Sequence, residues 1–233
     1  MIITIDGPAA AGKGTLAQKL AQKYKLAYFD TGMVYRAVGL DLVLRGISPE
    51  DAEAAEESAK NLTFAQMTHL AQHPDFRAAT GGQAASKVAA LPKVRAALLK
   101  MQQDFALHPQ FADGQKAAGV VYDGRDTGTV VCPQADIKFF VTASPEVRAA
   151  RRFKEFQAKG ADITYDEVLT DVKARDERDM NRAVAPMKPA ADAVILDTSN
   201  DSIEDVLRRA EEIIGSRPVS YTHLRAHETE LHL

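Results

Sequence analysis

Short apolar runs alternate with longer amphipathic stretches along this chain. The runs cover residues 2–6, 26–30, 120–123, 137–141 and 193–197. Each is rich in β-branched or aromatic residues and too short for a helix, so each predicts a buried strand. Four of the five close on an aspartate, where a buried strand would emerge into a polar cleft. Between the runs, apolar positions recur at helical spacing. Leu16, Leu20 and Tyr24 share one face, as do Val34, Val38 and Leu42, and Val94, Leu98, Met101 and Phe105. Ile203, Val206, Leu207, Ala210, Ile213 and Ile214 form a stripe with Gly215 in its C-cap region. Ser48-Pro49 and Ser144-Pro145 read as N-caps with proline at the first helical position. Strands alternating with helices predict a parallel sheet covered on both faces, with ligands beyond the carboxyl ends of the strands.

Two regions interrupt this alternation. Residues 46–105 carry no convincing core strand and include the small, polar Thr80-Gly81-Gly82-Gln83. Residues 145–186 are helical and heavily charged. Both read as excursions from one core, which a chain of 233 residues and 45% hydrophobic content can supply. A net charge of −3 gives no reason for non-specific binding to a nucleic-acid polymer or a membrane, so basic residues that bind phosphate must be focused locally. The single cysteine, Cys132, excludes an intrachain disulfide and a cysteine metal cluster, and fits a reducing cytoplasm. Neither a signal peptide nor a transmembrane helix is expected, because no basic leader precedes the first strand and no apolar run reaches about 20 residues. Residues 216–233 have no period but hold His223, His227 and His232. A metal site is one reading; an appended disordered or non-native tail is the expected one, so the domain is taken as residues 1–215.

The first strand runs into Gly7-Pro8-Ala9-Ala10-Ala11-Gly12-Lys13-Gly14-Thr15 and then a helix, the context a triphosphate-binding loop needs. Glycines let the backbone approach phosphate, N–H groups and the helix N-terminus supply positive potential, and Lys13 can bridge the β- and γ-phosphates. Gly14 stands where a strict motif has serine or threonine, and the hydroxyl follows at Thr15, a candidate contact to Mg²⁺. No Asn-Lys-x-Asp or Thr-Lys-x-Asp occurs, which weakens a GTPase reading.

Three further constellations suggest a second phosphate site. Asp30-Thr31-Gly32 leads into a helix bearing Tyr35 and Arg36. Asp123-Gly124-Arg125-Asp126-Thr127-Gly128 follows the third strand. Arg148, Arg151 and Arg152, then Arg175, Arg178, Asp179 and Arg182, crowd the second excursion. Arginine forks suit phosphate. The plain alternatives are solvated arginines, a core tyrosine, a polar turn and i,i+4 pairing such as Asp171 with Arg175. The crowding favours an anion, and a mobile arginine lid closing over ATP would use it.

These segments, with Ala85-Ser86-Lys87-Val88-Ala89, Pro92-Lys93-Val94-Arg95 and Arg175-Asp176-Glu177-Arg178-Asp179-Met180-Asn181-Arg182-Ala183-Val184-Ala185-Pro186, resemble the bacterial cytidylate kinases over about residues 1–215. The resemblance implies an α/β fold: a P-loop three-layer sandwich around a five-stranded parallel sheet. It also implies an NMP-binding excursion (46–105) and a helical lid (145–186). It implies ATP- and Mg²⁺-dependent phosphorylation of CMP and dCMP by a cytoplasmic monomer. Residue by residue, Gly7 through Thr15 with Arg148 and Arg152 would hold ATP. Lys13, Arg151, Arg178 and Arg182 would act on the transferring group. Thr31, Tyr35, Arg36, Ser86, Arg95, Arg125, Asp126, Arg175, Asp179 and Arg182 would bind CMP, with Ser86, Arg95 and Asp126 reading cytosine. The excursion reads as shorter than in members with a small β insert. Another P-loop small-molecule or UMP/CMP kinase, and a nucleotide-binding switch, are the alternatives.

Overall fold

The computed structural model describes residues 1–158 and 160–216; of the tail read as 216–233, Ser216 closes the last helix, and the rest, including His223, His227 and His232, lies outside the described residues. Among the described residues, β1 (Ile2–Asp6), β2 (Ala27–Asp30), β3 (Val120–Gly124), β4 (Ile137–Thr142) and β5 (Val194–Asp197) form one parallel sheet in the order β2-β3-β1-β4-β5. The strands match the apolar runs to within a residue at either end, because an all-parallel sheet buried on both faces demands them.

Side-chain alternation sets the two faces. Ile3, Ile5, Val121, Phe139 and Val141 are buried against α1 (Lys13–Tyr24) and α9 (Ile203–Ser216), which contributes Val206, Ala210 and Ile214. Val120, Phe29 and Tyr122 face the opposite layer, built from α2 (Gly32–Leu44), α3 (Ala52–Asn61), α4 (Phe64–Leu70), α5 (Ala79–Val88) and α6 (Pro92–Leu107). Phe29 anchors that layer, with ring centroids 4.6 Å from Phe105 and 5.4 Å from Tyr122. Each such buried ring is worth about 1.5–3 kcal/mol in water-to-core transfer. The pair α7 (Pro145–Ala158) and α8 (Tyr165–Asn181) has its own small core of Ala149, Val168 and Val172. No helix among the described residues is long and apolar enough to cross a membrane.

Two local readings differ in the structure, the Ser48-Pro49 helix start and the Asp171–Arg175 pair. Ser48-Pro49 does not start a helix: α3 is capped by Asp51, whose carboxylate accepts from the N–H groups of Glu53 and Ala54. Ser48 caps only a turn, through Glu50 N–H. Ser144-Pro145 does start α7, and Ser144 Oγ accepts from Val147 N–H. Thr80-Gly81-Gly82-Gln83 is helical, within α5. A Cβ at Gly81 would sit 2.3 Å from Asp75 O, so glycine there serves close packing. Arg175 lies beside Asp179, at 3.9 Å, in place of the Asp171 pairing.

Candidate functional site

The register brings Asp6 level with Gly124 and Asp30 level with Asp123, so the strand ends open on one side of the sheet. The loop after β1 turns there. Gly7 has φ 141, and a Cβ would stand 1.9 Å from Val141 O, which only glycine tolerates. Ala10 at φ 60 and Gly12 at φ 90 complete the bend, and Gly12 caps α1. The free N–H groups of that helix end form an anion site. Lys13 is 5% exposed; its Nζ donates to Pro8 O at 2.9 Å and lies 3.7 Å from Asp123 Oδ1. Burial, and then Arg125, hold its ammonium down to about 8. Asp30 is pushed up by burial and by Asp123.

A cleft of about 310 Å³ runs from this loop to the opposite wall, within the range of about 300–1,000 Å³ for small-molecule sites. Along it lie Ala9, Ala10, Gly12, Lys13, Gly14 and Thr15 on one side. Thr31, Tyr35, Arg36, Ser86, Arg95, Arg125, Asp126, Arg152, Arg175, Asp179 and Arg182 lie along the rest of it. These come from α2, α5, α6, α7, α8 and the segment after β3, so residues far apart in the chain converge. Carboxylates hold the arginines in a lattice. Asp126 bridges Arg95 and Arg182, the latter at 3.3 Å. Asp179 takes Arg125 Nε at 3.2 Å. Arg36 donates to Phe76 O at 2.8 Å, and Arg95 stacks over the Tyr35 ring at 5.3 Å. Burial, then Arg125, lowers Arg175 to about 10. Its Nε, like that of Arg95, is buried without a hydrogen-bond partner. Cations outnumber carboxylates along the lining, so the positive field is local while the whole chain is acidic. Such a site suits a polyanion.

Gly7, Pro8 and Ala11 of the expected residues shape the loop from behind the cleft. Three expected arginines also stand outside it. Arg148 is 2% exposed, and four of its five N–H donors go to Ala143 O, Ala9 O and both oxygens of Asp176. Arg151 donates to Thr198 Oγ1 at 3.0 Å and Thr198 O at 2.6 Å. It lines a second hollow with Gly12, Thr15, Thr198 and Asp201, behind the phosphate loop. Arg178 Nε donates to Ser86 Oγ at 3.3 Å and borders a side cavity with Arg152 and Arg175. Asp30 and Asp123, which open two of the constellations but carried no expected role, also line the cleft, as does Glu155. The signal for the first two was their place at strand ends; Glu155 gave none, being one of many charges on α7.

The cytidylate kinase family model matches residues 3–216. A relative from Rhodospirillum rubrum, named cytidylate kinase, is 52% identical over 217 residues, covering 93% of this chain and 98% of the relative. Another so named, from Paramagnetospirillum magneticum, is 52% identical over 216 residues, covering 93% of this chain and 98% of its own length. Among solved structures, an uncharacterized protein from Eubacterium ventriosum superposes with TM-score 0.52 at 12% identity, covering 93% of this chain and 99% of that one. That likeness concerns the fold alone.

Proposed function

The chain belongs to the cytidylate kinase family, and from that premise we propose that it transfers the γ-phosphoryl group of ATP to CMP and dCMP. The observation that carries this is one cationic cleft with a phosphate loop on one wall and a bridged carboxylate, Asp126, on the other. The loop and Lys13 hold the triphosphate. The hollow lined by Arg151, Thr198 and Asp201 takes the donor's base. Arg36, Arg125 and Arg175 bind the acceptor phosphate, and Asp179 lies towards its sugar. Arg152 and Arg182 flank the transferring group. Arg178 joins them once it leaves Ser86, and Arg148 serves ATP through the Ala9 carbonyl rather than by touching phosphate.

Base choice follows from donor and acceptor chemistry. Cytosine offers an N4 donor beside N3 and O2 acceptors. A carboxylate accepts at four lone-pair positions, so Asp126 keeps capacity for N4 after serving two arginines, while Arg95 and Ser86 can donate. Uracil reverses the first two positions and leaves the pair mismatched, which such sites reject strongly.

The acceptor is already an ionised phosphate, so transfer needs no strong general base. It proceeds in line, by positioning and charge neutralisation. The hydroxyl of Thr15 and the carboxylates of Asp30 and Asp123 are hard oxygen donors suited to Mg²⁺ or its water shell. In this reading the ion comes mainly with the nucleotide, with Thr15 two residues beyond Lys13 as its nearest hydroxyl on the loop. When bound, Mg²⁺ neutralises charge on the phosphates. The single cysteine is buried, which suits a reducing cytoplasm.

The test is ADP release with CMP, dCMP, UMP, AMP and GMP as acceptors. Cytidine nucleotides should lead UMP by about 10²-fold or more in kcat/KM. Equal turnover across the panel would remove the base assignment.

A further inference from the structure

Asp6 is a buried carboxylate to which the transfer mechanism above gives no task. It ends β1, immediately before Gly7, and is 4% exposed. Alternation along β1 turns it away from α1, on the face opposite Ile3 and Ile5. Three donors converge on it. Thr127 N–H and Thr127 Oγ1 each reach Oδ1 at 2.8 Å, and Gly128 N–H reaches Oδ2 at 2.7 Å. These donors open the short π-helical segment Thr127–Val131. Turns of this kind are rare and concentrate at functional sites.

Asp126 stands at the head of that turn, with φ −146 and ψ 22, and its carbonyl accepts from Val130 N–H at 2.8 Å. The backbone that aims Asp126 is therefore pinned from below by Asp6. Space on either side is tight: a Cβ at Gly124 would meet Thr127 Cγ2 at 2.5 Å, and one at Gly128 would meet Thr4 Oγ1 at 2.8 Å. The turn has little room to settle elsewhere. Only an ionised carboxylate satisfies three donors on two oxygens; an asparagine would turn its own N–H₂ towards one of them. Burial pushes the Asp6 carboxyl up to about 6, although the Gly128 and Thr127 N–H groups pull it down. The charge is thus costly to keep, and its three donors offset that cost only while the turn holds this geometry.

We propose that Asp6 is a positioning residue for acceptor-base selection: through Thr127 and Gly128 it sets Asp126, with Arg95 and Arg182, relative to the phosphate loop that begins one residue later. The proposal rests on the reading that Asp126 faces the cytosine. It makes the donor loop and the base-reading carboxylate share one rigid reference, so the acceptor is presented in line only when its base is matched.

The experiment measures kcat and KM for CMP, UMP and ATP in the wild type and Asp6→Asn. The variant should lose about 10–100-fold in kcat/KM for CMP and less for UMP, so that their ratio narrows, while KM for ATP moves by less than about threefold. Thr127→Val, which removes only the hydroxyl donor, should shift the ratio in the same direction by about 3–10-fold and covers the case in which Asp6→Asn does not fold. The CMP-to-UMP ratio is then followed from pH 8 to 5.5. Both acceptors carry the same phosphate, so its titration cancels in the ratio. The groups facing Asp6 are Asp126 at the head of the turn and Cys132 at its end; Lys138 of β4 is turned to Pro133 and Asp192. As pH falls through about 6, protonation of Asp6 removes one acceptor and the wild-type ratio should fall, with no such limb in Asp6→Asn. An unchanged ratio in both variants, or equal losses for ATP and CMP, overturns the proposal. A wild type without preference for CMP would instead overturn the base assignment beneath it.

Discussion

Lys13 sits among Arg125, Arg175, Asp123 and Asp30 with almost no water, and its ammonium is held down to about 8. Between about 8 and the ordinary 10.5 the unfolded chain binds a proton that the free folded enzyme has released, so this group adds stability as pH rises through that window. Triphosphate reverses the balance, because an anion beside Lys13 restores its charge. ATP binding at pH 8.5 should therefore take up protons, and affinity should decline as pH climbs above 8. Calorimetry in two buffers of different ionisation enthalpy reads the uptake. Lys13→Ala should abolish most of it and cut kcat by about 10²–10³-fold; undiminished uptake in the variant would place the titration elsewhere. The chemistry of Lys13 was legible from Gly7-x-x-x-x-Gly12-Lys13 alone. The fate of Arg148 was not, since its carboxylate partner lies 28 residues away on another helix.

That partnership belongs to the element scale. Arg148 of α7 holds Asp176 of α8 and the carbonyls of Ala9 and Ala143, tying both helices to the phosphate loop. Arg175 and Asp179 flank Asp176 on α8, so the ion pair sets how that helix presents them to the cleft. Breaking a buried pair leaves a charge without compensation. Asp176→Ala should lose about 3–5 kcal/mol, read as a lower urea midpoint, and a loss below about 1 kcal/mol would show the pair to be incidental. Helix starts were only partly legible. Thr164 with Glu167 forms a capping box at α8, as Thr63 with Gln66 does at α4. Ser48-Pro49 carries equally good local credentials, yet the helix waits for Asp51. Capping contributes about 1 kcal/mol, and the packing of Ala55 and Ala59 decides between neighbouring candidates.

At the scale of the whole molecule, the sheet with α1 and α9 forms one core, α2–α6 a second, and α7–α8 a small third. Acceptor ligands should bridge them, since Ser86 is on α5 and Arg175, Asp179 and Arg182 lie on or just beyond α8. Amide hydrogen exchange should be fastest in α7–α8 of the free enzyme, where little apolar surface is buried. CMP with a non-hydrolysable ATP analogue should slow it in α7–α8 and α5 together. Protection confined to the phosphate loop would argue against closure over two nucleotides.

The sequence by itself determined the five strands, the phosphate loop and the arginine-rich excursions, because strand burial, glycine geometry and charge density are local properties of a few neighbouring residues. The carboxylates that Arg95, Arg125, Arg148 and Arg182 meet, and the direction each strand-terminal aspartate faces, came from the tertiary structure. Asp6 and Thr127 are 121 residues apart, and Arg95 and Asp126 are 31 apart. No local pattern encodes such pairs: they form only when the β2-β3-β1-β4-β5 order brings the strand ends side by side and burial leaves each charge few partners.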